Sequence, residues 1–284
     1  MAPAARSLRS HAHYARALHR QVLMSMLLRD RVEGDVVEAG CYTAGTAVLL
    51  RAMLDLDPHA LDGDAAGRGA DAVIMPRAGG NSDMNDVDPA EEAPEAEAAA
   101  AKSDGAAAPD DRRMSSLSAR RLLLADSFTG IPFPHSARGR EVDTSAHWPE
   151  RYVASINQAK STLRRYGLLD ERVVFVPGLF NESLPSVRAS AFALIHIDAD
   201  AYDSVLDALD ALYPRLSVGG HVVIDDFHLP GVRAAVHDFR KGRHVTESLL
   251  PVPSDHATSC TADWTVDDVI TVQPLTVAYW TRRK

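Results

Sequence analysis

The sequence is poor in cysteine and has no long apolar run. Cys41 and Cys260 are the only cysteines in 284 residues, and neither belongs to a CxxC pair. This argues against a disulfide framework and a zinc site, and free thiols are typical of a reducing compartment. Because no stretch approaches eighteen consecutive apolar residues, we expect no membrane span and a cytoplasmic protein. The acid-free first twenty residues resemble a transit peptide, but a basic first helix is the favoured interpretation.

An excess of basic charge is also missing. The formal net charge is −9, and residues 83–111 hold ten acidic residues against one lysine, so the rest of the chain is close to neutral. A neutral body lacks the basic footprint of a nucleic-acid-binding protein. We therefore expect neither a nucleic-acid nor a membrane partner.

Aromatic and β-branched residues are scarce over residues 57–115, which are rich in Ala, Gly, Asp, Glu and Pro. A segment of this composition buries too little apolar surface to offset the entropy of ordering. We predict a single domain over residues 1–284 that carries a disordered acidic insertion at 57–115.

What the chain does contain is an alternation of short apolar runs and amphipathic segments. The runs "DVVEA", "RLLLAD", "RVVFV", "FALIHI" and "HVVID" are typical of buried strands. Helical spacing occurs over residues 6–31 and 149–166, and at Leu206, Leu209, Leu212 and Leu216. This alternation predicts a Rossmann-like α/β fold with a mostly parallel sheet, helices on both faces and an N-terminal helical segment. Ligands of such folds bind at the carboxyl ends of the strands.

The first strand–helix turn, "EAGCYTAG", indicates a nucleotide-sized ligand. Glu38 ends the strand, and Gly40 and Gly45 flank the turn. The turn lacks both the Lys-Thr of a P-loop and the GxGxxG pattern of dinucleotide sites. A strand-final acid before such a turn is typical of S-adenosylmethionine sites, and Asp126 at the next strand end is positioned for the ribose hydroxyls. A purely structural glycine turn is the alternative.

Four aspartates follow two further strands. Asp198 and Asp200 come after "LIHI", and Asp225 and Asp226 come after "HVVI". Carboxylates that converge at strand ends repel one another unless a cation lies among them, and oxygen-only ligands favour Mg²⁺ over Zn²⁺, with Mn²⁺ or Ca²⁺ also suitable. The alternative is that these side chains cap helices or pair with basic residues.

An ordered set of motifs resembles the macrocin O-methyltransferase (TylF-type) family. The matching stretches are "GDVVEAG", "ADSFTGIPFP", "RVVFVPGLFNESLP", "IDADAYDSVLDALDALYPRLSVGGHVVIDDF", "VRAAVHDFR" and the terminal "VAYW". The resemblance implies a seven-stranded class I methyltransferase fold, S-adenosylmethionine and Mg²⁺ as cofactors, and methyl transfer to a metal-bound hydroxyl. It also implies a small hydroxyl acceptor, a sugar or a phenol, and a homo-oligomer.

The resemblance further implies roles for individual residues. The expected metal ligands are Asp198, Asp225 and Asp226, and Asp200 is the expected catalytic base. Independently of the resemblance, His228 is a second candidate for the base because it lies just past the Asp pair. The expected cofactor contacts are Glu38, Gly40, Tyr42, Asp126, Ser127 and Gly178.

Other functions stay open at this level. A sugar acceptor follows from family analogy alone, and a catechol-type acceptor would suit the same metal. A binding or scaffold protein that keeps the fold without turnover is the second class of function. A nicotinamide-dependent oxidoreductase is disfavoured by the missing GxGxxG.

Overall fold

The computed structural model describes residues 20–56, 120–143, 152–251 and 277–284. The predicted insertion at 57–115 and the transit-like first nineteen residues lie outside these ranges, so those two expectations stay predictions. Within the described ranges, no helix is long and apolar enough to cross a membrane.

Helices and strands alternate as the sequence predicts. In chain order, the strands are β1 (Asp35–Ala39), β2 (Leu122–Asp126), β3 (Val173–Pro177), β4 (Phe192–Ile197), β5 (Leu216–Asp225), β6 (Leu250–Pro251) and β7 (Val277–Thr281). The helices are α1 (20–29), α2 (Gly45–Met53), α3 (Ala137–Val142), α4 (Ile156–Arg165), α5 (Phe180–Ser183), α6 (Tyr202–Leu212) and α7 (Pro230–Gly242). Single 3₁₀ turns follow α5 and α6.

Two predicted helix boundaries are wrong. The helix predicted over 149–166 begins at Ile156, because Ser155 forms a capping box with Gln158 that ends the extended chain before it. Leu216, predicted to share a helical face with Leu206, is instead the first residue of β5. The intervening 3₁₀ turn contains Pro214, which cannot continue an α-helix.

The strands form one sheet in the order β3-β2-β1-β4-β5-β7-β6. The pairs among the first five strands in that order are parallel, whereas β7 runs antiparallel to β5 and β6. The mostly parallel sheet is therefore confirmed, with six strands of five or more residues and a two-residue strand at one edge. The chain order reverses between β1 and β4, which places a topological switch point at their carboxyl ends.

Side chains alternate across the central strands, so that each face of the sheet buries its own apolar layer. Val37 and Ile195 pack with α6 and α7 on one face, whereas Val36 and Leu194 pack with α1, α2 and α4 on the other. Coverage of both faces explains why these strands read as continuous apolar runs. The site is therefore left at the open end of the sheet, where the strands stop.

His221 in β5 makes the folded state sensitive to acid. Its ring is buried, and Nδ1 lies 2.8 Å from Thr281 Oγ1. Burial lowers the pKa of His221 from 6.5 to about 4. Between these two values the unfolded chain binds the proton that the folded chain excludes, so stability falls as the pH drops from about 6.5 to about 4.

We predict that His221 accounts for about 3 kcal/mol of stability lost over that pH interval. His221→Gln keeps a hydrogen-bonding group near Thr281 but cannot titrate, so its unfolding free energy should fall by correspondingly less than that of the wild type. Urea unfolding at pH 7 and pH 4 measures both differences. Equal losses in the two proteins would contradict the prediction.

Candidate active site

The carboxyl ends of four parallel strands are joined edge to edge beyond the regular ladder. The Gly40 amide donates to the Ala125 carbonyl at 2.8 Å, and the Asp198 amide donates to the Ala39 carbonyl at 2.8 Å. The Gly178 amide donates to the Asp126 carbonyl at 3.0 Å. The turns after β1, β2, β3 and β4 therefore start at one level, and their side chains surround a common space.

Gly40 is required where β1 meets β4. Its φ is +90°, and a Cβ built on it would lie 1.8 Å from the Asp198 carbonyl oxygen. Only glycine permits both this backbone conformation and this approach. Gly45, at the start of α2, is different, because an added Cβ there would meet nothing within 4 Å.

Gly40→Ala and Gly45→Ala form a matched pair of variants. We predict that Gly40→Ala lowers the free energy of unfolding by more than about 3 kcal/mol, since it forces the first and fourth strands apart. Gly45→Ala should change it by no more than about 1 kcal/mol. Denaturant unfolding of the two variants tests this, and a Gly40→Ala protein of wild-type stability would contradict it.

A cavity of about 350 Å³ opens between these strand ends. Its size lies within the range of small-molecule sites. Eight of the ten sequence-predicted cofactor, metal and catalytic residues line it: Gly40, Tyr42, Asp126, Ser127, Gly178, Asp198, Asp200 and Asp226. Further lining residues, outside that predicted set, are Gly130, Ile131, Pro132, Tyr152, Leu179, Phe180, Ala199 and Ser204.

Three carboxylates converge on one side of this cavity. One oxygen each from Asp198, Asp200 and Asp226 lies within 4.8 Å of the other two. Asp200 and Asp226 have φ values of 58° and 49°, in the left-handed region that residues other than glycine rarely adopt. The chain therefore holds these two residues in an uncommon backbone conformation where the carboxylates meet.

Because the three carboxylates lie so close together, a state in which all three are ionised is disfavoured. Burial raises the pKa of Asp200 to about 8, with further contributions from a hydrogen bond to Asp226 and from the charges of Asp226, Asp225 and Asp143. Burial also raises the pKa of Asp198 well above its usual range, and the neighbouring aspartates add to it. A divalent cation would relieve this repulsion, and an all-oxygen donor set is the kind that Mg²⁺ prefers. The residues present thus fit the predicted ion.

On the opposite side of the cavity, Asp126 organises the first turn. Its Oδ2 accepts hydrogen bonds from the amides of Cys41 (3.0 Å) and Tyr42 (2.9 Å), and its Oδ1 accepts one from the Phe128 amide (2.8 Å). The sequence suggested only a ribose contact. The structure adds that this carboxylate fixes the backbone of two adjoining turns, with Tyr42 at φ 45°.

Comparison with known proteins gives a family match. The model of the macrocin O-methyltransferase family (TylF) matches residues 112–258, just over half of the chain. The chain belongs to the TylF family. The resemblance drawn from the motifs is therefore confirmed.

Two relatives of known name and one solved structure show how far the similarity of this chain to other proteins extends. The 8-demethyl-8-(2,3-dimethoxy-alpha-L-rhamnosyl)-tetracenomycin-C 4'-O-methyltransferase of Streptomyces olivaceus is 31% identical over 227 residues, which are 79% of this chain and 64% of that protein. The mycinamicin III 3''-O-methyltransferase of Micromonospora griseorubida is 32% identical over 137 residues, 47% of this chain and 54% of that protein. The chain thus spans between half and two thirds of these relatives' lengths. The O-methyltransferase NovP superposes with a TM-score of 0.62 at 23% identity, covering 95% of this chain and 80% of that chain, and shows that the class I methyltransferase fold is shared.

Two of the residues that TylF resemblance assigns to the site lie outside the cavity lining. Asp225 is buried, and its Oδ2 accepts a hydrogen bond from Arg20 Nη2 in α1. The converging group therefore contains Asp200 in place of Asp225, because Asp225 still belongs to β5 and directs its carboxylate toward α1. Asp225 nevertheless contributes to raising the pKa of Asp198, so it is electrostatically part of the same end of the sheet.

Glu38 is the second. It is 1% exposed, and its Oε1 lies 3.4 Å from His196 Nδ1 in the neighbouring strand. Its Oε2 has no hydrogen-bond partner among the described residues. The structure thus places Glu38 beside His196 within the sheet, and direct contact with a bound cofactor stays a prediction.

The second base candidate, His228, has a partner as well. Its Nδ1 lies 3.7 Å from Asp226 Oδ1, and the side chain is exposed. His228 is not part of the cavity lining, whereas Asp200 is. Tyr152, which sequence reasoning missed, packs edge-on against Tyr42 with ring centroids 6.2 Å apart at the cavity's rim. No periodicity marks Tyr152, because it precedes the helix start at Ile156.

Proposed function

We propose that this protein is an S-adenosylmethionine-dependent O-methyltransferase that acts on a hydroxyl of a small natural-product acceptor. The observation that carries the proposal is the arrangement of one cavity at the switch point. A glycine turn tied down by Asp126 lies on one side, and three converging aspartates lie on the other. Membership of the TylF family supports the same chemistry.

The half of the cavity at β1, β2 and β3 suits the methyl donor. Gly40 and Gly178 expose backbone there, and Tyr42 and Phe180 offer apolar surface for an adenosyl group. Asp126 keeps the first turn in shape through the amides of Cys41 and Tyr42, and it also lines the cavity. Donor binding therefore relies on preformed backbone more than on flexible side chains.

The aspartate side suits a divalent cation. Asp198 and Asp226 would hold Mg²⁺, together with Asp225 or Asp200. Bound there, Mg²⁺ would lower the pKa of the acceptor hydroxyl and orient that hydroxyl toward the methyl donor.

Asp200 has the position for the proton transfer. It lines the cavity beside Asp198 and Asp226, so its carboxylate would lie close to a hydroxyl held by a cation at these residues. As the acceptor oxygen forms its bond to the methyl carbon and the bond from that carbon to the sulfonium sulfur breaks, Asp200 takes the hydroxyl proton.

The names of the relatives point to the class of acceptor. Two of them act, by their printed names, on tetracenomycin and mycinamicin derivatives. A sugar hydroxyl of a glycosylated natural product is accordingly the first class of acceptor to test, and a phenolic diol is the second. A homo-oligomeric state and a cytoplasmic location are our expectations for the protein that carries this activity.

Calorimetry and a methyl-transfer screen test the proposal together. We expect S-adenosylmethionine to bind with or without Mg²⁺, and transfer to a panel of glycosides and catechols to require Mg²⁺ and to stop with EDTA. Absence of donor binding at millimolar concentration would overturn the enzymatic function. Donor binding without transfer to any acceptor in the panel would favour the scaffold alternative.

A further inference from the structure

Arg20 is a buried positive charge beside the aspartate cluster, outside the cavity. It belongs to α1 and is 7% exposed. Its Nη2 donates to Asp225 Oδ2, and its Nε and Nη2 lie 3.1 Å and 3.0 Å from His196 Nε2. A guanidinium is never deprotonated in a protein, so this charge is permanent.

The contacts of Arg20 determine the state of His196. A guanidinium has donors only, so Nε2 of His196 must accept, and the ring proton must reside on Nδ1. That Nδ1 lies 3.4 Å from Glu38 Oε1 and forms no hydrogen bond among the described residues. His196 and Asp225 belong to the adjacent strands β4 and β5, so one guanidinium ties α1 to both strands.

The network ends directly at the proposed cation site. Asp225 Oδ1 also accepts the Asp226 amide at 3.1 Å, and His196 precedes Asp198 by two residues in the chain. The Asp225 carboxylate can therefore pair either with the Arg20 guanidinium or with a divalent cation. Arg20 holds it in the structure described here, and the family resemblance assigns it to the metal.

We propose that Arg20 is a positioning residue that serves as the built-in counter-ion of Asp225, and that a divalent cation competes with it for this carboxylate. Arg20 thereby sets the cation affinity of the site and preserves the fold when no cation is bound. The inference rests on the proposed metal site, which it deepens. It adds a residue from α1 that no motif singles out.

Arg20→Met keeps much of the side-chain volume and removes the charge. In EDTA, the buried Asp225 carboxylate has then lost the Arg20 guanidinium, and we expect the melting temperature to fall on the order of 10 °C. Saturating Mg²⁺ should restore most of this loss, because the cation replaces the missing charge, whereas the wild type gains only a few degrees. Mn²⁺, titrated calorimetrically as a probe, should bind the variant about tenfold or more tightly.

Three further variants separate this mechanism from a general loss of packing. Arg51→Met removes another buried arginine, one paired with Asp55 and Asp170, and should lower the melting temperature equally with and without Mg²⁺. Adding Asp225→Asn to Arg20→Met should recover stability in EDTA and abolish the extra response to Mg²⁺. Arg20→Lys, which retains a charge, should bind Mn²⁺ within about threefold of the wild type.

The outcomes are distinguishable. If the wild type binds Mn²⁺ and Arg20→Met shows the same affinity and the same Mg²⁺ increment, the competition is overturned and the proposed function stands. If Arg20→Lys tightens Mn²⁺ binding as much as Arg20→Met, charge is not the cause and the inference also falls. If the wild type binds no Mn²⁺, the metal part of the proposed function fails together with the inference. Recovery of folded Arg20→Met only in Mg²⁺ would support it.

Discussion

Asp198→Asn is expected to lower the rate of methyl transfer by about 10³-fold or more while leaving S-adenosylmethionine binding nearly unchanged. Burial raises the pKa of Asp198, and the charges of Asp225, Asp226 and Asp200 add to it. An amide at this position removes the charge that balances a divalent cation. The glycine turn that suits the donor is held by Asp126 on the other side of the cavity and should not be affected.

The measurement is a comparison of three quantities in one preparation: donor affinity by calorimetry, Mn²⁺ affinity, and turnover with an accepted substrate. Asp210→Asn is the matched control, because Asp210 is an exposed aspartate that pairs with Arg243, the residue that follows α7. It should retain all three within about twofold, as expected for a surface ion pair. Asp198→Asn turning over at the control's rate would remove the metal from the mechanism.

The sequence was sufficient to place the aspartates and the glycine turn on the same edge of the sheet. Apolar runs without alternation indicated a parallel sheet covered on both faces, and parallel strands bring their carboxyl ends together. This is why Gly40, Asp126 and Asp198, distant in the chain, all line one cavity. The direction of the strands was enough for this prediction, and the uninterrupted apolar runs indicate that direction.

The sequence was not sufficient to say which way each aspartate points. Asp225 is the last residue of β5 and faces α1, whereas Asp226 has a φ of 49° and turns into the cavity. A left-handed residue after a strand has no signature in the pattern of an "IDDF" segment. The sequence also contained no sign that Arg20 belongs to the site. An arginine on an amphipathic helix is usually exposed, and only the packing of α1 on the sheet buries this one.

For Asp126, the sequence predicted the residue as part of the site but only one of its two functions. Its strand-final position predicted a ligand contact, but three backbone amides also depend on its carboxylate. Hydrogen bonds between turns that are over eighty residues apart follow from the sheet order. They cannot be obtained from local spacing.

The assignment of Asp200 produces the second large expected effect. If Asp200 takes the acceptor's proton, Asp200→Asn should lower kcat by about 10² to 10⁴-fold and leave the affinity for Mn²⁺ unchanged. The amide keeps the shape of the side chain but cannot accept a proton at neutral pH. His228→Gln, which alters the exposed histidine next to Asp226, should change kcat by less than about tenfold, since His228 does not line the cavity.

The same variant decides between two sets of residues that could bind the cation. The geometry favours Asp198, Asp200 and Asp226, whereas the family resemblance implies Asp198, Asp225 and Asp226. Asp200 belongs to the group of carboxylates whose oxygens lie within 4.8 Å of one another, so it could be a ligand in place of Asp225. In that case Asp200→Asn would weaken Mn²⁺ binding along with kcat, and Asp225→Asn would leave it intact. Loss of kcat at constant Mn²⁺ affinity assigns the proton to Asp200. It also favours Asp225 as the third ligand, and Asp225 would then exchange Arg20 for the cation when the site takes up its ion, which makes the buried arginine a part of how this site is assembled.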